Sequence, residues 1–185
     1  MKIFIAGPRV INELNIDILS KLNSICKNAY EILIGDATGI DSAIQRYLSN
    51  INYKKVSVYS SNGIVRNNIG NWETVSVPVK PNTKGFEFYV QKDIQMAKNA
   101  DAGLMIWNGE SRGTFNDIIN LLDLNKTVLM YLTSTQKFYT FTTRLDFERF
   151  LGSNIKLSNK LKKILERGYI KDFKQVCLFE SKIIN

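Results

Sequence analysis

Apolar residues recur along this chain in two alternating rhythms. Residues 2–6 form a short, almost unbroken apolar run that stops at Gly7-Pro8, as a buried strand does. Ile16, Leu19, Leu22 and Ile25 then recur every third residue, which predicts an amphipathic helix. Residues 31–34 repeat the apolar run, and after a polar loop Ile40, Ala43, Ile44, Tyr47 and Leu48 fall on one helical face. Residues 55–60 and 74–79 alternate with period two (Val56 with Val58; Val75 with Val77 and Val79) and predict two strands separated by the Asn- and Gly-rich "SNGIVRNNIGNW". "KPNTKG" is a turn cluster. Residues 86–99 predict a helix with Phe86, Val90, Ile94 and Ala97 inward, and residues 102–107 a continuous apolar strand. A further helix starts at Ser111 or Thr114 and runs through Leu122, and residues 127–132 make the last clear strand.

Strands that alternate with helices, several of them apolar throughout, predict a parallel sheet covered on both faces. The expected fold class is α/β, a Rossmann-like open, mostly parallel sheet spanning 1–135. In such sheets ligands bind outside the carboxyl ends of the strands. Residues 136–185 are expected to form a small basic C-terminal appendage. Within it "FYTFTTRLDFERFL" and "NKLKKILERGYI" suggest short helices and "KDFKQVCLFES" a final strand.

Composition narrows the chemistry. The 185 residues contain no histidine, which excludes a Ser-His-Asp triad and any His-ligated metal and leaves carboxylates, hydroxyls and basic groups. The two cysteines, Cys26 and Cys177, are far apart and lack metal-ligand spacing, so neither a disulfide framework nor a zinc site is indicated. No apolar run approaches the roughly 20 residues of a spanning helix, and "MKIFIAG" is short for a signal peptide, so no membrane partner is expected and the protein reads as cytoplasmic. No cofactor is indicated either. The net charge of +8 is concentrated toward the end of the chain, where residues 151–185 carry eight Lys/Arg against three Asp/Glu. Such a segment either meets nucleic acid or is simply a solvated face.

Three loops stand at the same predicted sheet edge: "AGPRV", "GDATGIDSA" and "WNGESRGTFNDI". Each has glycine where backbone turns sharply, here Gly7, Gly35 with Gly39, and Gly113, and each leads toward a helix amino end whose free N–H groups attract phosphate. Arg9 and Arg112 add fixed cationic forks, and Ser111, Asp36 and Asp41 add polar groups. A structural reading competes. Thr38 with Asp41, and Thr114 with Asp117, stand three apart as in a capping box, worth about 1 kcal/mol without any ligand. Arg66 is either an anion clamp or a surface arginine, Asp93 faces either the cleft or solvent, and Trp72 and Trp107 either stack on a base or pack in the core. Glu110 beside Arg112 reads as a surface pair.

"KIFIAGPR", "IGDATGIDSAIQRYL", "VRNNIGNWE", "KDIQMAKNADAGLMIW" and "NGESRGTFNDIINLL" together resemble the SLOG superfamily, named for DNA-processing protein A and the Lonely Guy enzymes, and most of all its small phage and bacterial members. The resemblance spans about residues 1–135. It implies a Rossmannoid domain that binds nucleotides or nucleotide-derived ligands. "GDATGID" is similar to the "ARGID" segment of DNA-processing protein A, with Thr38 replacing the arginine, and "SRGTFND" is similar to the "PGGxGTxxE" phosphate loop of Lonely Guy phosphoribohydrolases, without the leading Pro-Gly-Gly. Asp117 stands where that loop has its catalytic glutamate, which nucleoside deoxyribosyltransferases also carry. The shorter stem sets the carboxylate back by about 1 Å or more, a displacement that can cost on the order of 100-fold.

Three functions follow as expectations. The leading one is a sensor or binding module for a nucleotide-like small molecule. The alternative is an enzyme that cleaves an N-glycosidic bond through Asp117, helped by Asp41 or Asp36. The third is a nucleic-acid accessory protein acting through the basic tail. By analogy a homo-oligomer is expected.

Overall fold

The computed structural model describes residues 1–153 and Asn159. Seven strands form one sheet: β1 (Lys2–Ala6), β2 (Glu31–Gly35), β3 (Val56–Ser61), β4 (Glu73–Val77), β5 (Ala102–Trp107), β6 (Thr127–Leu132) and β7 (Lys137–Phe141). Their order is β4-β3-β2-β1-β5-β6-β7, parallel throughout except for the antiparallel β6–β7 pair. The helices are α1 (Ile16–Lys27), α2 (Ile40–Asn50), α3 (Gly85–Asn99), α4 (Arg112–Asp123) and α5 (Arg144–Ser153). This is the open Rossmann-like α/β sheet that the periodicity predicts.

The uniformly apolar strands are the ones buried on both faces. Along β1, Ile3 and Ile5 pack with Ile18, Leu22 and Ile25 of α1 and Ile40, Ile44 and Leu48 of α2. The alternate residues Phe4 and Ala6 join the opposite core with Met96 and Ala97 of α3, Phe115, Ile118 and Leu121 of α4, and Phe147 of α5. Period-two side-chain alternation thus feeds two cores from each strand. The chain builds outward from β1 through β2, β3 and β4, then returns through α3 to β5 on β1's other side. That reversal leaves a crevice beyond the carboxyl ends of β1 and β5.

Several expectations change. In α1 the buried stripe is Ile18, Leu22 and Ile25, with Ile16 exposed at the first turn, because Asn15 caps the helix by accepting from the Ile18 N–H at 3.0 Å. In α3 the buried residues are Lys92, Met96 and Ala97, while Phe86, Val90 and Ile94 are only partly covered. "FYTF" is a strand, β7, rather than a helix: Phe141 enters the core while Phe138 and Tyr139 sit half-buried on opposite faces. Residues 137–153, assigned from sequence to the appendage, join the sheet and the core through β7, Phe147 and Leu151. The helix and strand expected within 159–181, and the basic tail beyond Ser153, lie outside the described residues apart from Asn159. No helix among the described residues is long and apolar enough to cross a membrane.

Candidate functional site

A cleft of about 660 Å³ opens at that crevice. All three predicted loops reach it: Gly7, Pro8 and Arg9 follow β1, Ala37 and Asp41 follow β2, and Asn108, Glu110 to Thr114 and Asp117 follow β5. The first turns of α3, with Phe86, Tyr89 and Val90, form the remaining wall.

The first two loops are held in backbone contact. The Ile40 N–H donates to the Pro8 carbonyl at 3.2 Å, and Gly39, at φ +81°, lies where a β-carbon would strike the Arg9 backbone. A side chain at residue 39 would therefore push the loops apart as well as strain the turn. Gly39 is also the cap residue of α2, so no side chain caps that helix. The expected Thr38–Asp41 capping box is not formed: Thr38 is exposed, and Asp41 turns inward to accept from the Ala37 N–H at 3.2 Å.

The third loop is fixed from within. Asn108 accepts from the N–H groups of Glu110 and Ser111 at 3.0 and 2.8 Å, and the Trp107 indole donates to the Ser111 carbonyl at 3.0 Å. Ser111 is the cap of α4 and accepts from the Thr114 hydroxyl at 3.0 Å. Thr114 is therefore the third helical residue and not a cap, so the Thr114–Asp117 box is also absent. Asp117 lies one turn further along the same helical face. A β-carbon on Gly113 would meet none of the described residues within 4 Å, so the backbone of the first turn of α4 is open to the cleft on that side as far as they go.

Charge is divided between rim and floor. At the rim the Arg112 guanidinium lies 3.7 Å from the Phe86 ring centroid and that of Arg9 5.1 Å from the Tyr89 centroid, contacts that orient both cations. At the floor stands Lys92, 3 % exposed, with Nζ 2.7 Å from Asp93 Oδ1 and 3.9 Å from Asp36 Oδ1. Gly35 lacks the β-carbon that would strike both the Asp41 carboxylate and Lys92 Nζ. Burial alone would lower the Lys92 pKa, but Asp93, Asp41 and Asp36 together hold it above the ordinary lysine value.

The carboxylates differ by environment. Burial would raise Asp36, yet the Arg66 fork, at 3.1 Å from Nε and 2.5 Å from Nη2, and the Lys92 charge keep it below the usual range. Burial lifts Asp41 to about 6 against the pull of Lys92, with Asp93 adding to the rise. Asp117 is 4 % exposed and its Oδ1 has no hydrogen-bond partner among the described residues; burial and the Asp93 charge push its pKa well above the ordinary value.

Of the sequence-predicted residues, the structure brings Gly7, Arg9, Asp41, Asp93, Ser111, Arg112, Gly113, Thr114 and Asp117 to one cleft. Gly35, Asp36, Gly39 and Arg66 are not among its lining residues. Arg66 is spent on Asp36 and the Tyr89 ring, at 4.4 Å from the centroid, and so is not a free anion clamp. Trp107 and Trp72 are core residues, 0 % and 8 % exposed, with Trp72 donating to the Tyr53 carbonyl, so neither stacks on a base. Glu110 lines the cleft mouth. Sequence reasoning missed Lys92 and the wall of Phe86, Tyr89 and Val90. The available signal was the lysine's position four residues before Met96, on the face that is buried. Comparisons with protein families, with curated proteins and with solved structures find no match.

Proposed function

We propose that the cleft binds a nucleotide or a nucleotide-derived phosphorylated sugar, with the anionic group at the rim and the sugar over the floor. The observation that carries this reading is the pairing of a helix amino end at the cleft with a buried carboxylate one helical turn further along, whose Oδ1 has no hydrogen-bond partner among the described residues. Three residues along a helix advance about 4.5 Å, close to the span from a phosphate to the hydroxyls of the sugar that bears it. Arg9 and Arg112, already oriented on aromatic rings, lose little freedom on meeting a phosphate. The sequence resemblance to the SLOG superfamily points the same way.

Calorimetric titration and thermal shift with nucleoside monophosphates and ribose 5-phosphate test the proposal. Ligand at about 100 times its Kd adds about 2.7 kcal/mol of stability, roughly 5–11 °C for a chain of this size. Arg112→Ala should weaken binding of phosphorylated ligands and leave unphosphorylated nucleosides unchanged. No shift with any phosphorylated sugar would reject the proposal.

A second reading, cleavage of an N-glycosidic bond, rests on the same Asp117. A desolvated carboxylate against the anomeric carbon stabilises oxocarbenium character or attacks it. Chromatography of the titrated samples separates the two: free base released by the wild type and not by Asp117→Asn indicates turnover, and intact ligand indicates a binding module.

A further inference from the structure

Asp117 lines the cleft without a counterpart. It is 4 % exposed, its Oδ1 has no hydrogen-bond partner, and it joins none of the ion pairs formed among the described residues. The groups around it are charged. Asp93 and Lys92 face it from α3 and Asp41 from α2; Arg9 after β1, with Glu110 and Arg112 at the start of α4, completes the charged lining, and Asp36 pairs with Arg66 outside it. The Lys92 ammonium is already engaged, 2.7 Å from Asp93 Oδ1 and 3.9 Å from Asp36 Oδ1. With Asp117 ionised the lining holds four acids (Asp41, Asp93, Asp117 and Glu110) against three bases (Arg9, Lys92 and Arg112), and with Asp117 protonated three against three. A carboxylate buried without an ion pair costs far more than a neutral carboxyl in the same place. The upward displacement of its pKa, through burial first and the Asp93 charge second, agrees.

Resting on the nucleotide reading above, we infer that Asp117 acts as a neutral carboxylic acid that donates its O–H to the bound ligand, and so selects phosphorylated sugars that place an uncharged acceptor, an ether, carbonyl or ring-nitrogen lone pair, at the floor. A protonated carboxyl has an O–H to donate where a carboxylate can only accept, and a site that keeps a carboxyl neutral near pH 7 turns it into a donor. A phosphate at the amino end of α4, one helical turn from Asp117, favours the neutral form further, because it would repel a second negative charge. The same proton withholds the negative charge that attacking or stabilising an anomeric carbon requires. A site in this state holds its ligand without cleaving it.

Infrared difference spectra of the full chain at about pH 7.5 test this, with ribose 5-phosphate and AMP as probes. Wild type minus Asp117→Asn should show the C=O stretch of a protonated carboxyl, and saturation with a probe should move that band to lower frequency without removing it. A shift with ribose 5-phosphate puts the acceptor on the sugar, and one with AMP alone puts it on the base. By calorimetry Asp117→Asn, which keeps a donor, should bind within about threefold of wild type, and Asp117→Leu about tenfold or more weakly. Should a variant fold poorly, the wild-type band with and without probe serves alone, since Asp41, at about 6, is ionised at that pH. A carboxyl band that gives way to carboxylate, or stays unmoved, as a probe binds overturns the donor role and leaves nucleotide binding in place. So does Asp117→Asn binding as weakly as Asp117→Leu. No saturable binding of either probe overturns both.

Discussion

Replacing Asp41 with asparagine should stabilise this protein, and only above a defined pH. Asp41 is 6 % exposed and accepts from the Ala37 N–H, a bond that an asparagine oxygen can also accept. Its pKa rises from the ordinary 3.8 to about 6 on folding, chiefly through burial and against the attraction of Lys92. Below pH 4 both folded and unfolded chains hold the proton, so the residue costs nothing. Between about 4 and 6 the folded chain still holds it while the unfolded chain has released it, and stability falls as pH rises. Above about 6 the loss levels off. Each tenfold difference in proton affinity is about 1.4 kcal/mol, so the shift from 3.8 to about 6 corresponds to about 3 kcal/mol. Urea unfolding of wild type and Asp41→Asn at pH 4 and pH 8 measures it. The two should be about equally stable at pH 4, and the variant more stable by about 1–3 kcal/mol at pH 8. An Asp41→Asn protein that is less stable at pH 8 would refute the reasoning, because it would mean that the attraction of the Lys92 charge outweighs the cost of burial.

The remaining predictions concern the same cluster. Lys92→Met should cost about 3–5 kcal/mol at pH 7, the range for removing one partner of a buried pair. Because the folded lysine's pKa is raised, its contribution is complete below the ordinary value of 10.5 and is lost only at more alkaline pH; melting curves at pH 7 give the loss directly. Arg66→Ala should destabilise at neutral pH by an amount that shrinks as pH falls through the Asp36 pKa, because a depressed carboxylate contributes above 3.8 and loses its contribution in acid. Gly35→Ala should destabilise by about 1–3 kcal/mol, since its methyl would enter the space of the Asp41 and Lys92 charges. Gly113→Ala, whose methyl meets none of the described residues, should change the urea midpoint little.

What the sequence made legible follows from the distances over which each signal acts. Buried strands between two helical layers are apolar at every position, and β1, β2 and β5 were readable as such. The three loops were readable because glycine, arginine and hydroxyl residues follow strand ends directly. Lys92 was not. A lysine within a helix reads as solvated, and only the convergence of Asp36, Asp41 and Asp93 from three elements makes its burial tolerable. The capping boxes misled for a related reason: Asp41 and Asp117 have cap spacing, yet Asp41 turns inward to the Ala37 N–H and both carboxylates line the cleft. β7 was missed because its "FYTF" lacks clean alternation and gains its register only by pairing with β6. Arg66 could not be assigned because its partner Asp36 lies 30 residues away in the chain.

The most direct test of a phosphorylated-sugar cleft at this crevice is a backbone amide NMR titration with ribose 5-phosphate. The account predicts saturable shifts concentrated at Gly7, Arg9, Gly113, Thr114 and Asp117, where the first and third loops meet. Shifts confined to other surfaces, or none at millimolar ligand, would contradict it.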